Sequence, residues 1–219
     1  MMIKAVIFDM DGLMIDTEKL LLKYWLEAAH QCGYPMRKEH VLGIRSLAAK
    51  YAVPKLQAEL GPDFDYDKVR KLRMELMQAH IEKYGIEEKS GLGELLDYLK
   101  KHRYPTAVAT ATDLERTTRY LTSLDRLRYF DQIVCVSMVE NGKPAPDIYL
   151  EAAARLRVDP SVCLALEDSP NGILAACRAG MYPVMVPDLS QPDEETAKRL
   201  YRCVESLSDV IPLLENERI

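Results

Sequence analysis

Apolar positions along this chain fall into short blocks that end abruptly in polar residues. The first covers residues 3–8, broken only by Lys4 and the small Ala5, and stops at Asp9-Met10-Asp11-Gly12. A run of that length and composition predicts a buried strand. Further short apolar runs at 106–110, 132–136, 162–166 and 183–186 predict four more strands. Between them the spacing turns helical, predicting helices over 94–102, 114–124, 147–156 and 171–179, a later one over 192–202 and a short one over 208–215. Asp113 is placed to cap the helix that follows it.

Residues 16–88 read differently, because strand signals are missing there. Asp16 is a plausible N-cap, with Thr17 opening a helix whose apolar stripe is Leu21, Leu22, Trp25, Leu26 and Ala29. Gly33 and Pro35 end it. Helical segments over 37–42, 47–60 and 66–84 follow, separated by Gly43, Pro54 and Gly61-Pro62, with Pro54 either splitting the middle segment or lying in its turn. Strands alternating with helices imply an α/β fold, a Rossmann-like parallel sheet with helices on both faces. The first strand joins that sheet most simply if residues 1–15 and 89–219 form the core and 16–88 are inserted as a helical bundle, a cap domain.

Composition narrows the function without naming it. Hydrophobic residues make up 48% of the 219 and charged ones 29%, and the net charge of −5 is spread along the chain. That is the profile of a soluble globular protein, and no basic block points to nucleic acid. No apolar run is long enough to span a membrane. The chain enters its first strand directly, so a cytoplasmic protein without a leader is expected. The five cysteines are scattered, and they read as reduced thiols. A monomer is the default expectation.

In parallel sheets of this type, ligands gather at the carboxyl ends of the strands. Here those ends carry Asp9 and Asp11, then Thr110-Ala111-Thr112-Asp113, then Gly142-Lys143-Pro144, then Glu167-Asp168-Ser169. Asp9 and Asp11 are two apart, so an extended backbone turns both to one side. They suggest a bound cation, an acid/base pair or both; the plainer alternative is an Asp-Gly turn. Thr110 and Glu167-Asp168 can equally be helix caps, and Lys143 a solvated charge. Together the set has a chemical logic. Asp9, Glu167 and Asp168 supply hard oxygen ligands suited to Mg²⁺. The Thr110 hydroxyl and Ala111 N–H can hold a phosphate at a helix entrance, and Lys143 adds a point charge. Asp9 can then attack phosphorus, while Asp11 protonates the leaving alcohol and later deprotonates water.

The motifs Phe8-Asp9-Met10-Asp11-Gly12 with Asp16-Thr17, Val108-Ala109-Thr110, Gly142-Lys143-Pro144-Ala145-Pro146-Asp147 and Glu167-Asp168-Ser169-Pro170-Asn171-Gly172 resemble those of the haloacid dehalogenase superfamily of phosphotransferases. The resemblance is to the subgroup with a helical cap after the first strand. It implies Asp9 as nucleophile and metal ligand, and Asp11 as acid/base and ligand through its backbone carbonyl. It also implies Thr110, Ala111 and Lys143 around phosphate and Glu167 with Asp168 on Mg²⁺. The chain is similar both to β-phosphoglucomutases and to phosphatases of small esters, including pseudouridine-5′-phosphatase. The mutase carries a histidine where this chain has Leu21, which favours a Mg²⁺-dependent phosphatase of sugar, polyol or nucleoside phosphates acting through an aspartyl-phosphate. The alternatives are a mutase, a phospho-receiver domain and a silent binder. Asp11, the insertion and the length speak against the receiver; the full set of chemical groups speaks against the silent binder. Thr17 and Arg45 are the substrate-specificity candidates. Leu92 replaces a proline common in the family.

Overall fold

A computed structural model of the protein describes residues 3–45, 47–189 and 191–216. In chain order its elements are β1 (Ala5–Phe8), α1 (Glu18–Gln31), α2 (Lys38–Leu42), α3 (Ala49–Leu60), α4 (Tyr66–Tyr84), α5 (Leu92–Lys101), β2 (Thr106–Thr110), α6 (Leu114–Ser123), β3 (Gln132–Cys135), α7 (Asp147–Leu156), β4 (Cys163–Glu167), α8 (Pro170–Arg178), β5 (Tyr182–Met185), α9 (Glu194–Ala197), β6 (Arg202–Cys203) and α10 (Val210–Asn216). The strands form one parallel sheet of six in the order β3-β2-β1-β4-β5-β6.

β1 lies inside the sheet, with Phe8 opposite Val108 of β2 on one side and Leu166 of β4 on the other. The winding reverses between β1 and β4, which opens a crevice at their carboxyl ends. Side chains alternate across the sheet. Val6 and Phe8 pack with Leu95, Leu99, Leu164 and Leu214 on one face. Ala5, Ile7, Ala107, Ala109 and Ala165 pack with Ile148, Tyr149 and Ala152 on the other. The small residues there allow α7 to lie close to the strands, and this brings Tyr149 under the crevice.

Helices α1 to α4 and the loops between them build a second core from Trp25, Met36, Leu56, Phe64 and Val69. The chain enters and leaves this layer side by side, since Asp16 N–H donates to Glu87 O at 2.8 Å and Lys89 N–H donates to Met14 O at 2.9 Å. Among the described residues no helix is long and apolar enough to cross a membrane.

Local expectations are corrected at several places. Asp16 does not cap α1. Thr17 holds that position without a capping bond from its side chain, while Asp16 accepts from Lys19 at 2.8 Å. Pro54 lies inside α3; the helix loses one backbone bond there, and burial of Ala52 and Leu56 keeps it intact. The helix expected over 192–202 shrinks to α9; a turn follows, and Arg202 at its far end opens the edge strand β6. Tyr201 N–H donates to Pro183 O at 2.8 Å and Val204 N–H to Met185 O at 2.9 Å, so the open sheet edge outcompetes local helical preference.

Candidate active site

The site begins where β1 runs out. Asp9 N–H donates to Leu166 O at 3.0 Å, which holds its carboxylate level with the end of β4. The residue is 3% exposed. Lys143, from the loop before α7, ion-pairs with Asp9 and with Glu167, the latter at 2.6 Å, and donates to Ala109 O at 3.0 Å. It is as buried as its partners, so the reading of Lys143 as a solvated charge is set aside. Glu167 also accepts from the Tyr149 hydroxyl at 2.6 Å. Gly172 makes room for it, because a Cβ there would lie 1.9 Å from the Glu167 carboxyl carbon.

Asp9, Glu167 and Asp168 bring carboxylate oxygens within 4.8 Å of one another. Burial pushes the Asp9 carboxyl well above its ordinary range, and the Lys143 ammonium opposes that shift. Burial also raises Asp168, with the Glu18 charge adding to it and Arg45 opposing. For Lys143 burial works against the charge, but Asp9 and Glu167 outweigh it and the net shift is upward. Two oxygens in the cluster, Asp9 Oδ2 and Asp168 Oδ1, are buried without a hydrogen-bond partner. Buried acids with unpaired oxygens fit a hard divalent cation such as Mg²⁺, for which they are the natural donor set.

Asp11 is handled differently. Thr17 donates to its Oδ1 and Thr112 to its Oδ2, each at 2.7 Å. Its carboxylate stands outside the acid cluster. Gly12 makes the tight approach possible: its φ is +85°, and a Cβ would meet Asp168 Oδ2 at 2.3 Å. Asp9, Asp11, Ala111 and Thr112 line one cavity of about 190 Å³, whose other walls come from α1 to α4, the loop between α2 and α3, Arg116 of α6 and Val136. Thr110 does not face that cavity. Its hydroxyl accepts from Thr112 N–H at 3.0 Å.

Arg45 reaches across from the helical layer. It pairs with Glu18 at 2.9 Å and with Asp168, and Asn171 Nδ2 donates to its carbonyl at 2.8 Å. Glu18 is pushed up to about 8 by burial, with Arg45 opposing. Of the residues expected from sequence, Asp9, Asp11, Ala111 and Arg45 line the cavity, Lys143, Glu167 and Asp168 join Asp9 in the buried charge cluster, and Thr17 and Thr110 bond to Asp11 and to Thr112 N–H. Glu18, Thr112, Tyr149 and Asn171 were not anticipated. Thr112 had a signal, two positions after Thr110 at the same helix entrance. Tyr149 had none, since a tyrosine in the first turn of a helix does not announce a carboxylate beneath it.

A family model described as haloacid dehalogenase-like hydrolase matches residues 6–186. The chain is 32% identical over 212 residues to the phosphorylated carbohydrates phosphatase of Thermotoga maritima, covering 97% of this chain and 90% of that one. It is 32% identical over 191 residues to the β-phosphoglucomutase of Bacillus subtilis, covering 84% of this chain and 83% of that one. Its fold matches the crystal structure of CbbY from Rhodobacter sphaeroides in complex with phosphate, with a TM-score of 0.79 and 26% identity over 95% of this chain and 96% of that one. With four polar strand ends converging on one crevice and the family model spanning nearly all of the sheet, the chain belongs to the haloacid dehalogenase-like hydrolases.

Proposed function

We propose that the protein is a Mg²⁺-dependent phosphatase of small phosphate esters such as sugar, polyol or nucleoside phosphates. The observation that carries this reading is the buried arrangement of Lys143 between Asp9 and Glu167, beside the unpaired oxygens of Asp9 and Asp168. A carboxylate at a strand tip, held by a cation and next to a cation-ready acid cluster, is an activated nucleophile.

An Asp9 oxygen attacks phosphorus, and the bond from phosphorus to the ester oxygen breaks. The departing alkoxide takes the proton of Asp11, which the Thr17 and Thr112 hydroxyls hold in place. Water then attacks the aspartyl-phosphate, Asp11 takes the water's proton, and inorganic phosphate leaves with Asp9 restored. Lys143 and the Ala111 N–H hold the phosphoryl oxygens, while Thr110 shapes the turn that presents Ala111 and Thr112. Asp9, Glu167 and Asp168 would hold Mg²⁺, which when bound would supply charge neutralisation for the transferring phosphoryl group. Residues 16–88 act as the cap, excluding water and contacting the leaving group, with Arg45 pairing to Asp168 in the crevice.

Leu21 lines the cavity, and an apolar residue there supports hydrolysis over the mutase reaction. The test is phosphate release from p-nitrophenyl phosphate and from glucose 6-phosphate. Multiple turnovers with Mg²⁺, abolished by EDTA and by Asp9→Asn, are expected. Activity that survives either change would overturn the mechanism, and conversion of β-glucose 1-phosphate to glucose 6-phosphate without net phosphate release would overturn the preference for a phosphatase.

A further inference from the structure

The cavity over the acid cluster has a second wall that the hydrolytic chemistry does not use. Arg70 and Arg73 project into it from α4, and Arg116 from α6. Arg73 is 7% exposed. It lies over the Trp25 ring at 5.2 Å, and its Nη1 donates to the Met77 sulfur at 3.9 Å. Its Nε is buried without a hydrogen-bond partner. Among the described residues neither Arg70 nor Arg73 pairs with a carboxylate, and Arg116 pairs with Asp113 at 2.6 Å. The acids on the cavity wall are engaged elsewhere: Asp9 by Lys143, Asp11 by Thr17 and Thr112, and Glu18 by Arg45.

A buried guanidinium without an acid, beside two more cations, is costly unless an anion joins it. Burial and the nearby charges of Arg116 and Arg70 lower Arg73 to about 10, with Tyr66 and Asp11 opposing, so the charges around it fall short of what its burial requires. Trp25 offsets part of this through its ring face, but leaves the in-plane N–H groups of the guanidinium available. Those groups suit the oxygens of a phosphate or a carboxylate.

We infer that Arg73, supported by Arg70 and Arg116, binds a second anionic group of the substrate, so that the preferred ester carries a phosphate or carboxylate at the end away from the transferred phosphoryl group. This rests on the phosphatase reading above and assigns the cavity's far wall to substrate selection. The oxyanion chemistry is common to both groups, and paired substrates separate them.

The experiment compares kcat/KM, with Mg²⁺, for fructose 1,6-bisphosphate against fructose 6-phosphate and for 6-phosphogluconate against glucitol 6-phosphate. The wild type is expected to favour the doubly anionic member of at least one pair. Arg73→Met is expected to reduce that preference by about 30-fold or more, as for loss of one partner of a desolvated charge pair, and Arg73→Lys to restore part of it. A purely structural role would slow both members of a pair equally and leave the ratio unchanged. No preference in the wild type, or an unchanged ratio in Arg73→Met, would overturn the inference. If no ester is hydrolysed, p-nitrophenyl phosphate included, the phosphatase reading fails on its own. The anion wall is then judged by calorimetric binding of fructose 1,6-bisphosphate and fructose 6-phosphate to Asp9→Asn. Tighter binding of the bisphosphate that is lost on adding Arg73→Met supports the wall, and equal binding overturns it.

Discussion

Arg45 forms an ion pair with Asp168 across 123 residues of sequence, joining the helical layer to the tip of β4. The carboxylate it engages belongs to the acid cluster proposed to hold Mg²⁺, so the guanidinium and the metal draw on the same charge. Replacing Arg45 with alanine leaves a buried acid short of its counter-charge. Arg45→Ala is therefore expected to destabilise the metal-free protein by about 3 kcal/mol and to show a larger rise in melting temperature on adding Mg²⁺ than the wild type. Equal melting temperatures in EDTA would show that the pair contributes nothing to the fold.

Asp11 receives hydroxyl donors on both of its oxygens. Hydrogen bonds to a charged group contribute roughly 1.5–3 kcal/mol each. Thr112→Val should lower kcat/KM by about 10-fold or more, Thr112→Ser should recover most of that, and Asp11→Asn should cost far more than either. Steady-state kinetics on one ester decides the order. A Thr112→Val enzyme with wild-type rates would mean that Asp11 needs no such positioning.

The Tyr149 hydroxyl reaches Glu167 beneath the crevice. Tyr149→Phe removes one donor from a fully buried carboxylate and should reduce unfolding free energy by roughly 1–3 kcal/mol. Urea denaturation measures it, and an unchanged midpoint would indicate that Lys143 and the Ser169 hydroxyl suffice for Glu167.

Gly172 lies in the first turn of α8. Alanine would favour the helix there by about 1 kcal/mol, yet its Cβ would fall 1.9 Å from the Glu167 carboxyl carbon. The collision dominates, so Gly172→Ala should destabilise the protein by about 1–3 kcal/mol and weaken its dependence on Mg²⁺ as Glu167 shifts. Stability at or above wild type would contradict the packing described here.

The cysteines differ in reach. Cys177 and Cys203 are exposed, while Cys135 and Cys163 are buried. Burial pushes the Cys163 thiol up to about 11, with Asp159 contributing. The thiolate is the reacting form, so at pH 8 a disulfide reagent should modify exposed Cys177 quickly, Cys203 more slowly because burial raises its thiol, and Cys163 only on unfolding. Fast modification of Cys163 in the native protein would show that β4 opens.

How much of this was legible in the chain varies with the range of the interaction. β2, α4 and α7 are bounded as their own patterns predict, because core burial, helical spacing and capping residues act within a few positions. β6 was not legible, since a two-residue strand exists only where a neighbouring edge accepts it. Thr17 carried a weak signal as a helix opener; its contact with Asp11 came from the turn at Gly12.

By itself the sequence determined the alternation of strands and helices, the helical insertion, and the acids, threonine and lysine at successive strand ends. Those features follow from local burial patterns and from strand ends sharing one edge of a parallel sheet. Only the tertiary structure decided the partners. It placed Lys143 between Asp9 and Glu167, set Asp11 apart from the acid cluster, drew Arg45 to Asp168, and left Arg73 buried with no ion pair to a carboxylate among the described residues. Such pairings depend on which distant side chains share one low-dielectric space, and a residue's own neighbours in the chain do not specify that.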